Sequence, residues 1–218
     1  ANDKGNPFSS SSVSLTIDPA GRIFCSFKGW GVAFYDSVSD KMRPFNISGL
    51  NTSSVIKVVG AGEGSIILIT TDGSAVRITY RMVPVGVSRL YNREELLPDT
   101  AGLYEVASND RDVCLIGRNY VYRYSRSKGE IIDSIAFNGT VSYSSVAPDG
   151  VLYFVSDRSD IYRIDFNERV ASKVSELCRD NLMSFCFGTQ GIVWLAVDGV
   201  GLEACCPETS ALRKLESS

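Results

Sequence analysis

Short runs of apolar residues, separated by turns rich in glycine and aspartate, recur along the whole chain. The clearest copy is residues 141–165, VSYSSVAPDGVLYFVSDRSDIYRID. Its turn holds Pro148, Asp149 and Gly150, where Pro fixes φ, Asp bonds to its own backbone and Gly accepts a positive φ. The flanking runs are rich in β-branched and aromatic residues, which is typical of buried strands. The stretch therefore predicts three short strands joined by two tight turns.

The same turn returns at a regular interval. Glycines follow the first strand of a unit at positions 21, 64, 150 and 191, at intervals of 43, 86 and 41 residues. The double interval predicts one more unit near residue 110, where a polar stretch at 108–112 precedes the apolar run 113–116. Five copies of one unit thus occupy nearly the whole chain.

Each unit of about 40 residues contains four predicted strands, which is the pattern of a β-propeller blade. The sequence therefore predicts an all-β fold, a β-propeller of about five four-stranded antiparallel blades. Residues 1–12 are expected to be a lead-in segment and residues 13–218 a single domain. The predicted blades cover about 13–50, 51–101, 102–139, 140–180 and 181–218. An irregular β-sandwich is the alternative, but a sandwich has no reason to restart the same turn in every unit.

Two segments fit the pattern less well. The fourth strand of the first unit is predicted at 42–47. The fourth strand of the second unit is predicted at about 85–91, followed by a short helical turn at 93–97. Asn92 would cap that turn and Pro98 would stop it.

The turns also share a motif with a known repeat. In the first unit the motif begins with the turn from Asp18 to Gly21 and continues with an aromatic-containing apolar strand. It then reads Gly31-Val32-Ala33-Phe34-Tyr35-Asp36. The fifth unit has Gly191, the strand around Trp194 and then Gly201-Leu202. This resembles the two-component-regulator propeller repeat. The second unit departs from it by lacking an aromatic in its second strand, and the third by lacking the turn glycine.

The resemblance implies the periplasmic sensor region of a bacterial hybrid two-component system, a family in which some members respond to polysaccharide fragments. A soluble periplasmic or extracellular location is expected on this ground. In that family the blades are more numerous and further domains follow. The chain is therefore expected to be either part of a longer sensor or a free-standing five-bladed protein.

Composition removes several classes of function. The net charge of −3 gives no electrostatic footprint for a nucleic acid. No apolar run approaches the roughly 18 residues that span a bilayer, so membrane insertion of this segment is not expected. The chain has no histidine, which removes His-based triads, general bases and metal ligands.

None of the six cysteines belongs to a CxxC pair, so a zinc cluster is not expected. No other cofactor is predicted. Cys25, Cys114 and Cys186 lie inside predicted strands and are expected to be small buried hydrophobes.

One face of the propeller is the expected ligand face. The turns between the second and third strands emerge there together with the connections between blades. The predicted binding residues in those turns are Lys28, Trp30, Asp72, Arg118, Asn119, Tyr120, Asp157, Arg158, Asp160 and Asp198. The connections add Asn51, Arg93, Asp99, Arg179 and Asp180. Aromatic rings, carboxylates, guanidinium groups and amides together suit a sugar.

A backbone explanation competes with this one. Turns favour Asp, Asn and Gly whatever they bind. Tyr120 is also explained as the start of its strand, and Trp194 as part of the blade core.

Three functions remain open from the sequence. The favoured one is a non-catalytic propeller that senses a small molecule or an oligosaccharide. The first alternative is a scaffold that binds protein, as a homodimer or against other domains of a longer sensor chain. The second is a glycosidase or lyase, which needs two carboxylates about 5–10 Å apart from among Asp72, Asp157, Asp160 and Asp198.

The last expectation concerns the ends of the array. Each terminal unit has its own four strands, so no strand is left over to build a blade from both termini. Blades one and five are predicted to meet through side chains alone, Ile23 and Phe24 against Ile192 and Trp194. That seam is expected to be the weakest in the molecule.

Overall fold

The computed structural model describes residues 12–18, 21–27, 29–37, 39–47, 49–80, 93–97, 102–156, 160–188, 192–206 and 211–214. It consists of five four-stranded antiparallel sheets in a propeller arrangement, each built from four strands consecutive in the chain. Among the described residues the helical elements are two single 3₁₀ turns, Thr52–Ser54 and Ser175–Leu177. The prediction of a five-bladed all-β propeller is confirmed, including the unit inferred near residue 110.

The strands run in sequence order across each sheet. Blade one has β1 (Ser12–Ile17), β2 (Ile23–Phe27), β3 (Gly31–Asp36) and β4 (Lys41–Pro44). Blade two has β5 (Val55–Gly62), β6 (Ser65–Thr70), β7 (Ala75–Thr79) and β8 (Arg93–Leu96). Blade three has β9 (Leu103–Ser108), β10 (Asp112–Gly117), β11 (Tyr120–Ser125) and β12 (Glu130–Ala136). Blade four has β13 (Tyr143–Val146), β14 (Leu152–Ser156), β15 (Asp160–Asp165) and β16 (Val170–Lys173). Blade five has β17 (Leu182–Phe187), β18 (Val193–Val197), β19 (Gly201–Cys206) and β20 (Ala211–Lys214).

One predicted element is wrong. The segment predicted as a helical turn at 93–97 contains strand β8, which pairs antiparallel with β7, Arg93 opposite Thr79 and Leu96 opposite Val76. The strand predicted at 85–91 lies outside the described residues. Strand β4 also ends earlier than predicted, at Pro44, and Phe45 and Ile47 turn into the core beyond it.

The core lies between blades. Strands β6 and β10 are buried at every residue, because both faces of a central strand are covered by neighbouring blades. Four of the hydrophobic clusters each join two consecutive blades: one with two, two with three, three with four, and four with five. We call the face of a blade that meets the preceding blade its upstream face, and the face that meets the following blade its downstream face.

Phe24 shows how these faces are filled. It is fully buried on the downstream face of blade one, edge-on to Phe45 at 5.6 Å between ring centroids and 5.1 Å from the ring of Tyr80 in blade two. Its predicted place in a seam with blade five is therefore wrong, since alternation along β2 turns it to the other side.

The turns and connections do share one face, as predicted. In blades two, three and five, backbone bonds tie the turn between the second and third strands to a neighbouring connection. The donor N–H and acceptor C=O are Thr71 and Ser54 (2.8 Å), Leu103 and Gly73 (3.0 Å), Phe137 and Asn119 (2.9 Å), and Asp198 and Asn181 (3.0 Å). We call this side of the molecule the loop face.

The three cysteines that were predicted to be buried differ in their exposure. Cys25 and Cys114 are buried, as predicted, but Cys186 is exposed. Cys186 pairs in register with Trp194 on the downstream face of blade five, which no described blade covers. The prediction for Cys186 is therefore wrong because it assumed two covered faces for every strand.

Candidate functional site

The predicted binding residues are spread around the loop face rather than gathered at one point. Lys28, Asp157 and Arg158 lie outside the described residues. Trp30 is half-buried and stands edge-on to Phe27, with 5.6 Å between ring centroids. Its ring packs into the cluster on the upstream face of blade one.

Asp72 is used by its own turn. Its Oδ1 accepts hydrogen bonds from the Thr70 hydroxyl at 2.6 Å and from the Ser74 N–H at 3.0 Å. The bond from Thr70, followed by that from Ser74, holds the pKa of Asp72 below its ordinary value. The backbone explanation therefore accounts for this residue.

Asp160 is also engaged. Its carboxylate forms an ion pair with Lys173 at 2.7 Å, across the neighbouring strand, and this bond raises the pKa of Lys173. Asp160 thus stabilises the pairing of β15 and β16 at the edge of blade four.

Arg118, Asn119 and Tyr120 are exposed on blade three. The Tyr120 ring, 47% exposed, lies 6.0 Å from the ring of Tyr122. None of the three lines the cleft that residues of blades four and five form on the loop face.

That cleft lies between blades four and five. Its volume is about 550 Å³. It is lined by Ser142, Tyr143, Val155, Asp180, Asn181, Leu182, Met183 and Asp198. We call it the inter-blade cleft.

The polar rim of the cleft carries two carboxylates, Asp180 and Asp198. Both are exposed, and within the described part of the chain neither belongs to an ion pair. Asp198 stands at the tip of the β18–β19 turn, which closes through a bond from the Val200 N–H to the Val197 C=O at 3.2 Å. Gly199 permits this turn because its φ is +77°.

Asn181 joins the two acidic segments. Its φ of +59° is in the left-handed region, which Asn adopts more readily than most residues. This conformation turns the chain into β17 immediately after Asp180. The Asn181 carbonyl then accepts the Asp198 N–H at 3.0 Å, so the connection and the turn are held together.

The floor of the cleft is apolar. Val155 and Leu182 are 1% and 5% exposed, and above them Tyr143 and Met183 are 41% and 52% exposed. Met183 is the extra residue of a β-bulge, because Leu182 pairs with Val197 while Ser184 pairs with Ala196. A bulge redirects a side chain away from the regular alternation of the strand, which places Met183 at the cleft.

Behind the cleft, Arg179 fixes the connection. Its guanidinium forms an ion pair with the buried Glu203 at 2.9 Å and donates to the Cys178 carbonyl at 2.7 Å. Arg179 was predicted as a ligand-face residue; the structure turns it into blade five, where it positions Asp180 rather than lining the cleft.

Sequence reasoning placed Asp180 and Asp198 on this face and missed the other lining residues. Tyr143 and Ser142 were assigned to the interior of a strand. The available signal was position: the first residues of a blade's first strand directly follow the connection and so lie at the loop face. Met183 also follows a connection directly, but its place at the cleft depends in addition on a bulge, which is a property of strand register.

The four carboxylates considered as an acid/base pair are not assembled in one place by the described residues. Asp72 and Asp160 serve local structure, Asp157 lies outside the described residues, and Asp198 lines the cleft. The second carboxylate at the cleft is Asp180, from the connection. Among the described residues, no group of three His, Cys, Asp or Glu is arranged to hold a metal ion.

The described part of the chain holds no helix with the length and apolarity to cross a membrane. No family model and no curated protein matches the sequence.

The fold does match solved structures. Two are of one extracellular domain from B. thetaiotaomicron, described as belonging to a one-component system in one case and to a hybrid two-component system in the other. They give TM-scores of 0.66 and 0.65 at 13% and 18% identity, over 94% and 96% of this chain. A third, YCF48 bound to D1 peptide, gives a TM-score of 0.64 at 12% identity over 94% of this chain.

The chain spans only part of each match: 30% and 28% of the B. thetaiotaomicron chains and 66% of YCF48. At such low identity these matches show the propeller fold.

Proposed function

We propose that this chain is a non-catalytic, ligand-sensing propeller that binds an oligosaccharide in the inter-blade cleft. The observation that carries the proposal is the cleft itself, at the junction of two blades on the loop face. Its volume of about 550 Å³ lies within the range of small-molecule sites.

The lining chemistry suits a sugar. Carboxylates at Asp180 and Asp198 and the amide of Asn181 accept hydrogen bonds from hydroxyl groups. The exposed ring of Tyr143 and the thioether of Met183 offer apolar surface to the C–H faces of a pyranose. The buried floor of Val155 and Leu182 excludes water beneath the ligand.

The comparisons support the sensor part of the proposal. Two of the similar structures are extracellular domains of bacterial signalling systems. Together with the repeat motif, they favour a periplasmic or extracellular location for this chain in a bacterium, as a receptor for extracellular saccharides.

The test is binding of an oligosaccharide panel, measured by thermal shift and then by calorimetry. For a sugar that binds, we expect Tyr143→Ala and Asp198→Ala each to weaken the affinity by tenfold or more, about 1.4 kcal/mol. Asn119→Ala is the matched control, because Asn119 is exposed on the same face but lies outside the cleft. If no sugar binds, or if Asn119→Ala weakens binding as much as Tyr143→Ala, the cleft is not the sugar site.

A protein-binding scaffold is the second candidate. Large apolar side chains are exposed on the terminal blades, among them Leu15, Ile17 and Leu202. Of the similar structures, YCF48 was solved with a bound peptide.

A further inference from the structure

One repeat position has a different environment in the last blade. The apolar residue at the start of each third strand lies on the downstream face. In blades one to four it is covered by the next blade: Val32 is 2% exposed, and Ala75, Val121 and Ile161 are 0% exposed. The corresponding residue of blade five, Leu202, is 48% exposed.

The upstream face of blade one shows the same break. Leu15 is 64% exposed, whereas the residues at the matching register of blades two and five, Val58 and Phe185, are 2% and 7% exposed. The matching residues of blades three and four, Val106 and Ser144, are half-buried. Ile17, two residues after Leu15 on the same face, is 57% exposed.

The clusters agree with the exposures. Cys25, Phe27 and Ala33 form a cluster on the upstream face of blade one with Ile23, Trp30 and Met42, and its described members all belong to blade one. Among the described residues no hydrophobic cluster joins blade five to blade one. The seam predicted from the sequence is therefore not formed by the described residues. On the upstream face of blade one the exposed apolar residues are Leu15 and Ile17, while Cys25 and Ala33 of the same face are 8% and 1% exposed.

Both faces are uncharged along their inner strands. Strand registers place Leu15, Ile17, Ile23, Cys25, Ala33 and Tyr35 on the upstream face of blade one. They place Ser184, Cys186, Trp194, Ala196, Leu202 and Ala204 on the downstream face of blade five. Neither set contains a Lys, Arg, Asp or Glu that would oppose close contact.

We propose that the downstream face of blade five binds the upstream face of blade one of a second copy of this chain. In blades one to four, a downstream face is always covered by the upstream face of the following blade. Among the described residues, the upstream face left without a covering blade is that of blade one. A second copy presents that face, so the contact repeats an interface that the molecule already forms four times.

Such a contact is head-to-tail, with two different surfaces meeting. Contacts of this kind generate rings or open chains, whose size rises with protein concentration. The proposal is independent of the sugar site, because neither Leu15 nor Leu202 lines the inter-blade cleft.

The test uses two single variants, Leu15→Glu and Leu202→Glu. Each places a carboxylate on one face and leaves the other intact. We expect the wild type to self-associate in sedimentation velocity as its concentration rises, and each variant alone to remain monomeric, with an apparent dissociation constant at least tenfold weaker. Mixed in equal amounts, the variants should form a dimer and nothing larger, because one intact downstream face meets one intact upstream face.

Val170→Glu is the matched control, since Val170 is 51% exposed on strand β16, away from both faces. It should associate as the wild type does. Circular dichroism and melting temperature establish that each variant is folded.

Three outcomes would overturn the proposal. In the first, the wild type is monomeric at every concentration. In the second, Leu202→Glu alone still dimerises, which indicates a symmetric contact between two blade-one faces. In the third, the mixed variants stay monomeric while both are folded.

Discussion

Asp18 illustrates how a residue of one turn becomes a contact between blades. It follows β1, and its side chain is buried against Arg22 of the same turn, with 2.6 Å between Arg22 Nη2 and Asp18 Oδ2. The Tyr80 hydroxyl of blade two also donates to it, and the Arg22 guanidinium lies 4.7 Å from the centre of the Tyr80 ring. Burial alone would raise the pKa of Asp18, but the hydrogen bonds from Arg22 and Tyr80 outweigh it and lower the pKa.

The first prediction follows from that shift. Because the folded-state pKa of Asp18 is below its unfolded value, the stabilisation is complete above about pH 4 and is lost as the pH falls through the folded pKa. Asp18→Asn should reduce the free energy of unfolding at pH 7 by about 1.5–3 kcal/mol in urea titrations. It should also flatten the loss of stability between pH 4 and pH 2.

Tyr80→Phe is the graded control, because it removes one donor and leaves Arg22 in place. Its effect should be smaller, about 1 kcal/mol. If Asp18→Asn and wild type lose stability in parallel below pH 4, the carboxylate does not act as described.

For single residues, the sequence could predict only in part which turn residues line the cleft and which serve their own turn. Asp72 and Asp198 both stand in Asp-Gly turns on the loop face, and both were candidates. Thr70, two positions before Asp72, donates its hydroxyl to the carboxylate, and the backbone N–H of Ser74, two positions after it, donates to the same oxygen. Asp198 has no hydroxyl neighbour of that kind, so its carboxylate faces the cleft. The neighbours of each Asp were visible in the sequence; the cleft, which joins two distant segments, was not.

Among elements, β8 shows where propensity fails. The residues 93–97 read as a helical turn because Glu and Leu favour helices and Asn92 caps them well. In the structure the segment completes the sheet of blade two, since β7 offers an unpaired edge to it. Tertiary pairing outweighs the preference of a few residues, and a strand at an outer edge tolerates charged side chains.

The second prediction concerns a turn of the same blade. A Cβ on Gly73 would lie 2.6 Å from the Cα of Gly102 in the connection to blade three, and the φ of Gly73 is +81°. Gly29 has a similar φ of +74°, but nothing lies within 4 Å of a Cβ placed there. Ala at either site pays the backbone strain of about 1–2 kcal/mol, and Gly73→Ala adds a clash with the backbone.

Gly73→Ala should therefore destabilise the fold by about 1–3 kcal/mol more than Gly29→Ala in denaturant titrations. Equal losses at the two positions would mean that the loop face does not depend on the close approach of Gly73 to Gly102.

For the molecule as a whole, the regular interval of turns specified the number of blades and their order. It did not reveal whether the first and last blades meet. That outcome depends on the angle between neighbouring blades, which arises from the packing of residues such as Phe24 and Phe45 rather than from the period of the repeat. The seam residues were accordingly predicted only in part, with Ile23 and Trp194 on the open faces and Phe24 in the interior.

The third prediction compares equivalent strands by hydrogen exchange. Amides of β1 and β19 should exchange faster than those of β9 and β11, because the terminal strands have one face covered and the central ones have two. A tenfold lower protection factor is expected, measured at a concentration where the protein is monomeric. Equal protection in blades one, three and five would show that the two open faces are covered within one molecule.

The apolar position at the start of each third strand has a consequence for how such a gene changes. It is occupied by Val32, Ala75, Val121, Ile161 and Leu202. Since every blade presents the same kind of surface to its successor, duplication or deletion of a stretch of about 40 codons joins two faces that already fit. Unequal recombination between units can therefore lengthen or shorten the array without any new contact having to evolve first.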